Sequence, residues 1–286
     1  MINALKSDCQ NCFGLCCVAL PYGESADFPF NKESGIPCRN LCSDNACSIH
    51  DKLRKTGFRG CVSYECFGAG QHVSQTIYKG KDWRSGKHAE EMFLIFPLVQ
   101  QLHEMLWYLN QALTLKETAS FRDKLQLIYD ETVELTERTP QEILTIDLNS
   151  HRRKVNELLI AASIKYRGSR TNKGKKRLKN KSDLIGADLK GLDLQGENFR
   201  GKLMIAANLS NSDLRGADFI GADLRDADLR AANLEAALFL TQSQINSAIG
   251  DVHTKIPNYL ERPKHWIERD FVNIYGAFLW NVLFLN

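Results

Sequence analysis

Apolar positions return along this chain in two rhythms, one of 3.6 residues and one of five. Leu98, Leu102, Met105, Leu106, Leu109 and Leu113 fall on one face of a helix, which Pro97 is expected to start or kink. Phe121, Leu125, Ile128 and Leu135 predict a second helix ending before Pro140, and Val155, Leu158, Leu159 and Ala162 predict a third. Amphipathic helices with short connections predict a small bundle over residues 86–166, packed on what precedes it. Such stripes are core, and none has the spacing of a catalytic constellation.

The five-residue rhythm begins at Ser182. Large apolar residues stand at Leu184, Leu189, Leu194, Phe199, Met204, Leu209, Leu214, Phe219, Leu224, Leu229, Leu234 and Phe239. Two positions earlier the residue is usually small, as at Ala187, Ala207, Ser212, Ala217, Ala222, Ala227, Ala232 and Ala237. Asp or Asn commonly lies between the two, where it suits a tight turn facing water. A period of five fits neither an α-helix nor an ordinary strand. It fits a chain that turns one corner per five residues, so that four sides close a square coil. Phe199, Phe219 and Phe239 are spaced by one such circuit of 20 residues and fall on a single wall. Twelve repeats make three coils, about 14 Å tall at the usual strand spacing.

This pattern over residues 182–240 resembles the pentapeptide-repeat family. The resemblance implies a right-handed quadrilateral β-helix as the fold class of that segment. The pattern departs from the family at Leu192, Glu197 and Lys202, where a small inward residue is expected, so a distorted corner is expected there. Solenoids need their ends covered. Thr241 can cap a short helix from Gln242 to Ile249, stopped by Gly250, that lays Ile245, Ala248 and Ile249 over the last coil. The apolar tail from Phe271 to Leu285 needs a surface to cover it, either on the same chain or on a second copy in a homodimer.

All nine cysteines lie between Cys9 and Cys66. Their spacing is Cys9-x2-Cys12-x3-Cys16-Cys17, Cys38-x3-Cys42-x4-Cys47 and Cys61-x4-Cys66, with His50 and His72 near them. An odd count argues against a disulfide framework. Thiolates are soft ligands for zinc or for iron–sulfur clusters, and this many exceed one tetrahedral site. The segment resembles the CxxCxxCC type of zinc- or iron-chelating domain, through Cys9, Cys12, the Cys16-Cys17 pair, Cys38 with Leu41, Cys47-Ser48-Ile49-His50, and Cys61. Three residues rather than two separate Cys12 from the pair, and Cys42 lies outside the pattern. The expected ligands are Cys9, Cys12, Cys16, Cys17, Cys38, Cys47, Cys61 and Cys66, for zinc or an iron–sulfur cluster. Gly68-Ala69-Gly70 lacks the glycine spacing and the Lys-Ser/Thr of a phosphate loop.

The chain is therefore expected to be multidomain: a Cys-rich metal-binding segment (1–85), a helical region (86–166), a basic linker (167–181), the repeats (182–240), and a capping helix with the tail (241–286). Hydrophobic content of 43% and charged content of 25% are those of a soluble protein. No apolar run reaches the length of a transmembrane helix and no signal peptide precedes Cys9, so the cytoplasm is the expected location. The linker holds Arg167, Arg170, Lys173, Lys175, Lys176, Arg177, Lys179 and Lys181, a run more often solvated than bound to nucleic acid. From Asp183 to Glu235 ten acidic and six basic residues leave a net charge of −4.

These features point to a binding protein that joins a metal module to an interaction surface for a protein partner, rather than to an enzyme. Two alternatives stand beside it. One is protection against an antibiotic or toxic compound. The gyrase-type mimicry of DNA known in the repeat family is not expected here, because three coils are short and the charge is weak. The other is an iron–sulfur enzyme.

Overall fold

The computed structural model describes residues 2–168 and 183–267. Most of the basic linker and the tail from Phe271 to Leu285 lie outside the described residues. The chain divides into two compact units, Met1–Ala162 and Ser163–Asn286.

In the first unit the thiol-bearing loops carry three short helices: α1 (Leu15–Ala19), α2 (Arg59–Val62) and α3 (Ala69–Gln71), which runs on into a wider turn over His72–Ile77. The long helix α4 (Ala89–Thr114) follows, then α5 (Arg122–Thr136), α6 (Pro140–Leu144) and α7 (Leu148–Gly168). The expected stripe is buried at Leu102, Met105, Leu106 and Leu109. Pro97 does not start the helix, since α4 begins at Ala89 and carries Pro97 inside it. Glu90 and Glu91 favour that earlier start by complementing the helix dipole. Met92, Ile95, Phe96 and Val99, all fully enclosed, hold the turns on either side of the proline. As expected, α5 stops short of Pro140, which instead opens α6 behind a Thr139–Glu142 capping box.

One core joins the two parts of this unit. Cys12, Leu15 and Ala19 pack with Met92, Ile95, Phe96 and Val99 of α4 and with Ile143 of α6. The stretches that bear Cys12, Cys16 and Cys66 are thus built onto a helical floor, which supplies apolar burial they lack themselves.

In the second unit the repeats stack with a period of 20 residues. Parallel bridges run Asp183–Leu203–Asp223, Asp188–Asn208–Asp228–Ile249, Asp193–Asp213–Asn233–Lys255 and Asn198–Asp218–Leu238. Each bridge is isolated. Among the described residues there is no β-strand and no sheet, and every regular element is helical. The expectation of a right-handed quadrilateral β-helix is corrected on that ground. The reason is the short side. Most of its five residues are spent on the corner, closed by bonds such as Ala207 N–H to Met204 O (3.1 Å), so that each side forms one isolated bridge even though Leu209 N–H to Asp228 O (2.8 Å) and Asn211 N–H to Arg230 O (2.9 Å) both reach the next storey. The repeats form a coil of turns whose storeys are joined by isolated bridges.

Leu, Met and Phe at the centre of each side fill the shaft. Phe199, Phe219 and Phe239 are fully buried, and the rings of Phe199 and Phe219 stack with centroids 5.2 Å apart. Asp and Asn close the corners. Their side chains accept the N–H of the second residue onward, as in Asp193 Oδ1 with Gln195 N–H (3.2 Å). Leu192, Glu197 and Lys202 do not distort the coil. Their N–H groups make the same corner bonds, to Leu189, Leu194 and Phe199, while their side chains stay half-exposed. The helix after the repeats, α8 (Gln242–Ser247), ends before the expected Ile249. Thr241 and Gln244 form its capping box, and Ile249 continues the stack through a bridge to Asp228.

Candidate functional site

The thiols come from three stretches of chain, and identifiable contacts fix each stretch. Gly14, in the left-handed conformation, opens α1 and so presents Cys16 and Cys17. The buried ammonium of Lys32 donates to Val18 O (2.9 Å) and Leu20 O (2.7 Å) at the far end of that helix, and to Glu33 O (2.9 Å). Cys38 N–H donates to Cys17 O at 2.8 Å, which lays the second stretch beside the first. An antiparallel bridge between Leu41 and Cys47, turning through Asn45 at positive φ, brings Cys47 back. Cys61 lies on α2 and Cys66 just ahead of α3. Gly70 on α3 leaves room for sulfur: a Cβ there would stand 2.6 Å from Cys12 Sγ and 3.9 Å from Cys66 Sγ.

All nine cysteines are free thiols. Cys17 is hydrogen-bonded to Cys16 and Cys47, with Cys38 in electrostatic range. Cys61 is felt by Cys38 and Cys47. Cys9, Cys12 and Cys66 make a second neighbourhood. The hydroxyl of Tyr22 donates to Cys38 Sγ (3.3 Å), and Ser7 Oγ lies 3.0 Å from Cys66 Sγ while also donating to Glu65 Oε1. Eight of the nine, all but Cys42, are thus placed by these interactions. Yet among the described residues no three His, Cys, Asp or Glu side chains converge closely enough to hold a metal ion. His72 faces elsewhere. Its Nε2 meets Thr136 O at 2.9 Å and its ring lies 5.0 Å from that of His103.

Burial favours the protonated thiol. It pushes Cys12 and Cys61 up to about 11. Cys17 is raised first by its hydrogen bond with Cys16, against an opposing one from Cys47, and Cys47 is raised first by Cys17. Tyr64, packed against this core, is raised by its own burial and then by Cys16, Cys66, Glu65 and Cys12.

The repeat unit offers a different surface. Carboxylates at its corners are clasped by arginines two residues on. Arg215 Nε lies 2.9 Å from Asp213 Oδ1, Arg225 Nη2 lies 2.7 Å from Asp223 Oδ2, and Arg230 Nε lies 2.9 Å from Asp228 Oδ1. The pairing holds Asp213 and Asp228 below the usual carboxylate range. These walls present alternating charge rather than the unbroken anionic rail of a duplex. Asp218 was expected to face water with the other corner residues and does not, because the end of α7 covers it: Ser163, Tyr166 and Arg167 bond to Asp218, Ala236 O and Gly196 O. Nothing at residue 218 itself distinguishes it in sequence.

A second signal of the corners is present in the sequence. The residue two places after the centre of most sides adopts positive φ, as in Gly186, Gly191, Gly196, Gly201, Gly216 and Gly221, with Ala206, Asn211, Asp226 and Ala231 in the same conformation. A five-residue ladder of glycines marks the corners directly.

Among the described residues no helix is long and apolar enough to cross a membrane. The family model for pentapeptide repeats matches residues 204–239 in eight copies. The chain is also similar to the uncharacterized protein YybG of Bacillus subtilis (strain 168), at 59% identity over 264 residues, which cover 92% of this chain and 95% of YybG. This chain belongs to the family of YybG and is a pentapeptide-repeat protein.

Proposed function

We propose that the chain is a binding protein whose first unit holds a thiolate-ligated metal centre and whose repeat walls engage a protein partner. The observation that carries the metal reading is that free thiols from three separate stretches, 9–17, 38–47 and 61–66, neighbour one another, with Cys12, Cys16 and Cys66 packed on the helical core. The donor set suits a soft, thiophilic metal. Gly70 supports the fit, since any side chain there would occupy the place of the Cys12 sulfur. Cys9, Cys12, Cys16, Cys17, Cys38, Cys47, Cys61 and Cys66 are the ligands assigned, to zinc or to an iron–sulfur cluster. A bound metal would supply the charge that keeps these thiols ionised and draws the loops together. The short apolar core of the loops is reason for such a staple, so its role is structural.

The charge-paired walls favour a protein partner over nucleic acid, since Arg215, Arg225 and Arg230 already have carboxylate partners. Anaerobic purification of the full chain, with metal analysis and a visible spectrum, tests the metal reading. Colourless protein with stoichiometric zinc, or brown protein with iron and sulfide, supports it. Protein that takes up neither, on reconstitution, overturns it.

A further inference from the structure

Three apolar side chains stand outward together on one wall of the coil, the wall centred on Leu184, Met204 and Leu224. Ile185 is 52% exposed, Leu203 is 46% exposed and Ile205 is half-buried. Leu184 N–H to Leu203 O (2.8 Å) and Gly186 N–H to Ile205 O (2.9 Å) set the first two storeys one on the other, so the three form one patch. The same positions on the next two walls hold only polar residues, such as Lys190 and Arg230 on one and Gln195 and Arg215 on the other. Leu203 stands where Asp or Asn would cap the corner with its side chain. The other leucine at such a position, Leu238, is buried, whereas Leu203 gives up the cap and keeps nearly half its surface exposed.

The described chain ends at the head of this same wall. Asp226 N–H donates to Ser247 O (3.0 Å), just as Gly186 and Ala206 donate to Ile205 O and Arg225 O. Ser247 therefore tops the column of Ile185, Ile205 and Arg225. Trp266 donates its indole N–H to the next carbonyl, Ala248 O, and the described residues stop at Ile267. Residues 267–270 then precede Phe271, and from Phe271 to Asn286 the sequence holds no charged side chain. Four extended residues span about 13 Å. The descent of two storeys from Ser247 to Ile205 is about 10 Å. Glu268, Arg269 and Asp270 thus fall to the storey of Asp223 and Arg225, and Phe271 arrives at Ile205.

From this register of polar on polar and apolar on apolar we infer that residues 271–286 dock on this wall of their own chain and cover Ile185, Leu203 and Ile205. The inference is independent of the metal reading. It leaves the walls of Arg215 and Arg230 as the faces open to the protein partner proposed above.

Two measurements on the full-length chain test it. In the first, Ile185 is replaced by the photo-crosslinking residue p-benzoylphenylalanine, and the irradiated protein is mapped by mass spectrometry. The expected product has the mass of one chain and carries its adduct within residues 271–286. A covalent dimer would give the patch to a second copy and overturn the inference, as would adducts confined to other residues or none at all. In the second, chymotryptic release of fragments from residues 271–286 is timed. Leu203→Asp suits the corner and removes only the apolar contact, so release should quicken about tenfold as the docked population falls. Gln195→Asp, on a polar wall, should release them at the rate of the unaltered chain. If Leu203→Asp matches either the unaltered chain or Gln195→Asp, the inference is overturned.

Discussion

Ser163 Oγ donates a 2.6 Å hydrogen bond to Oδ2 of Asp218, a carboxylate with no exposed surface. The other side of Oδ2 meets Arg200 Nη1 at 3.5 Å, and Oδ1 accepts from Ile220 N–H at 3.0 Å. Arg167 Nε in turn donates to Ser163 Oγ at 2.9 Å. Both oxygens of this buried carboxylate are thus engaged. Asp218→Ala should destabilise the second unit by about 3 kcal/mol, because it removes the carboxylate that Ser163 donates to and that Arg200 faces. Ser163→Ala should cost about 1–2 kcal/mol, with the double variant less than additive. Urea unfolding of the single and double variants measures both. Additive losses would show that the two side chains do not communicate.

Much of this molecule is legible in its sequence, for reasons that differ by region. The period of five and the alignment of Phe199, Phe219 and Phe239 report on the shaft, because a stacked interior imposes the same demand at each storey. The same regularity does not reveal that a side spends most of its residues on turning, which leaves isolated bridges where a β-helix would have strands. Nor can it reveal that Asp218 is covered, since its cover, Ser163 and Arg167, lies far away in the chain. Of the two readings of Pro97 the helix start fails, because Met92 and Ile95 are buried in α4 upstream of it. The thiols are conspicuous by composition, while their neighbours Tyr22, Lys32 and Tyr64 are ordinary residues in sequence.

Phe219 stacks on Phe199 at the middle of the shaft. Phe219→Asp would bury a carboxylate in that stack, with no partner of opposite charge on the wall, and should unfold the second unit at ordinary temperature. Limited proteolysis combined with calorimetry checks this. A variant whose transition matches that of the unaltered chain would mean that the ring is not in the shaft.

His103 is 4% exposed, and its Nδ1 lies 2.8 Å from Phe67 O, an acceptor, so Nδ1 carries the proton. Burial first, and then the neighbouring His72, push its pKa down to about 4. In the unfolded chain the ring takes a second proton near the ordinary value of about 6.5. Acid therefore favours the unfolded chain. The stability tied to the neutral ring is complete above about pH 6.5 and is lost as pH falls toward 4, by roughly 3 kcal/mol over the window. Denaturant unfolding of the first unit at pH 7 and pH 5 should show the decline, and His103→Gln should flatten it. An equal slope in both proteins would place the cause elsewhere.

Gly250 lies directly beneath Trp266. A Cβ at Gly250 would come within 2.5 Å of ring atoms of Trp266, which is fully buried and donates its indole N–H to Ala248 O at 3.2 Å. Gly250→Ala should therefore lever the indole off the last storey and cost about 1–3 kcal/mol. Tryptophan fluorescence in a background where the other three tryptophans are phenylalanine would report the displacement. An unshifted emission maximum would indicate that the cover tolerates the methyl.

Because each side touches only the side one circuit above or below it, the length of the repeat unit is quantised. Removing one complete circuit, such as residues 204–223, returns every later residue to its own wall. The Phe column then still reads as a column, and the cover built by α8 and Trp266 still arrives over the face it was shaped for. Removing five residues instead rotates everything downstream by a quarter turn, which swings that cover onto the wrong wall and sets Leu beneath Phe. Natural variation in the size of this coil should therefore come in steps of whole storeys, however freely individual surface residues drift.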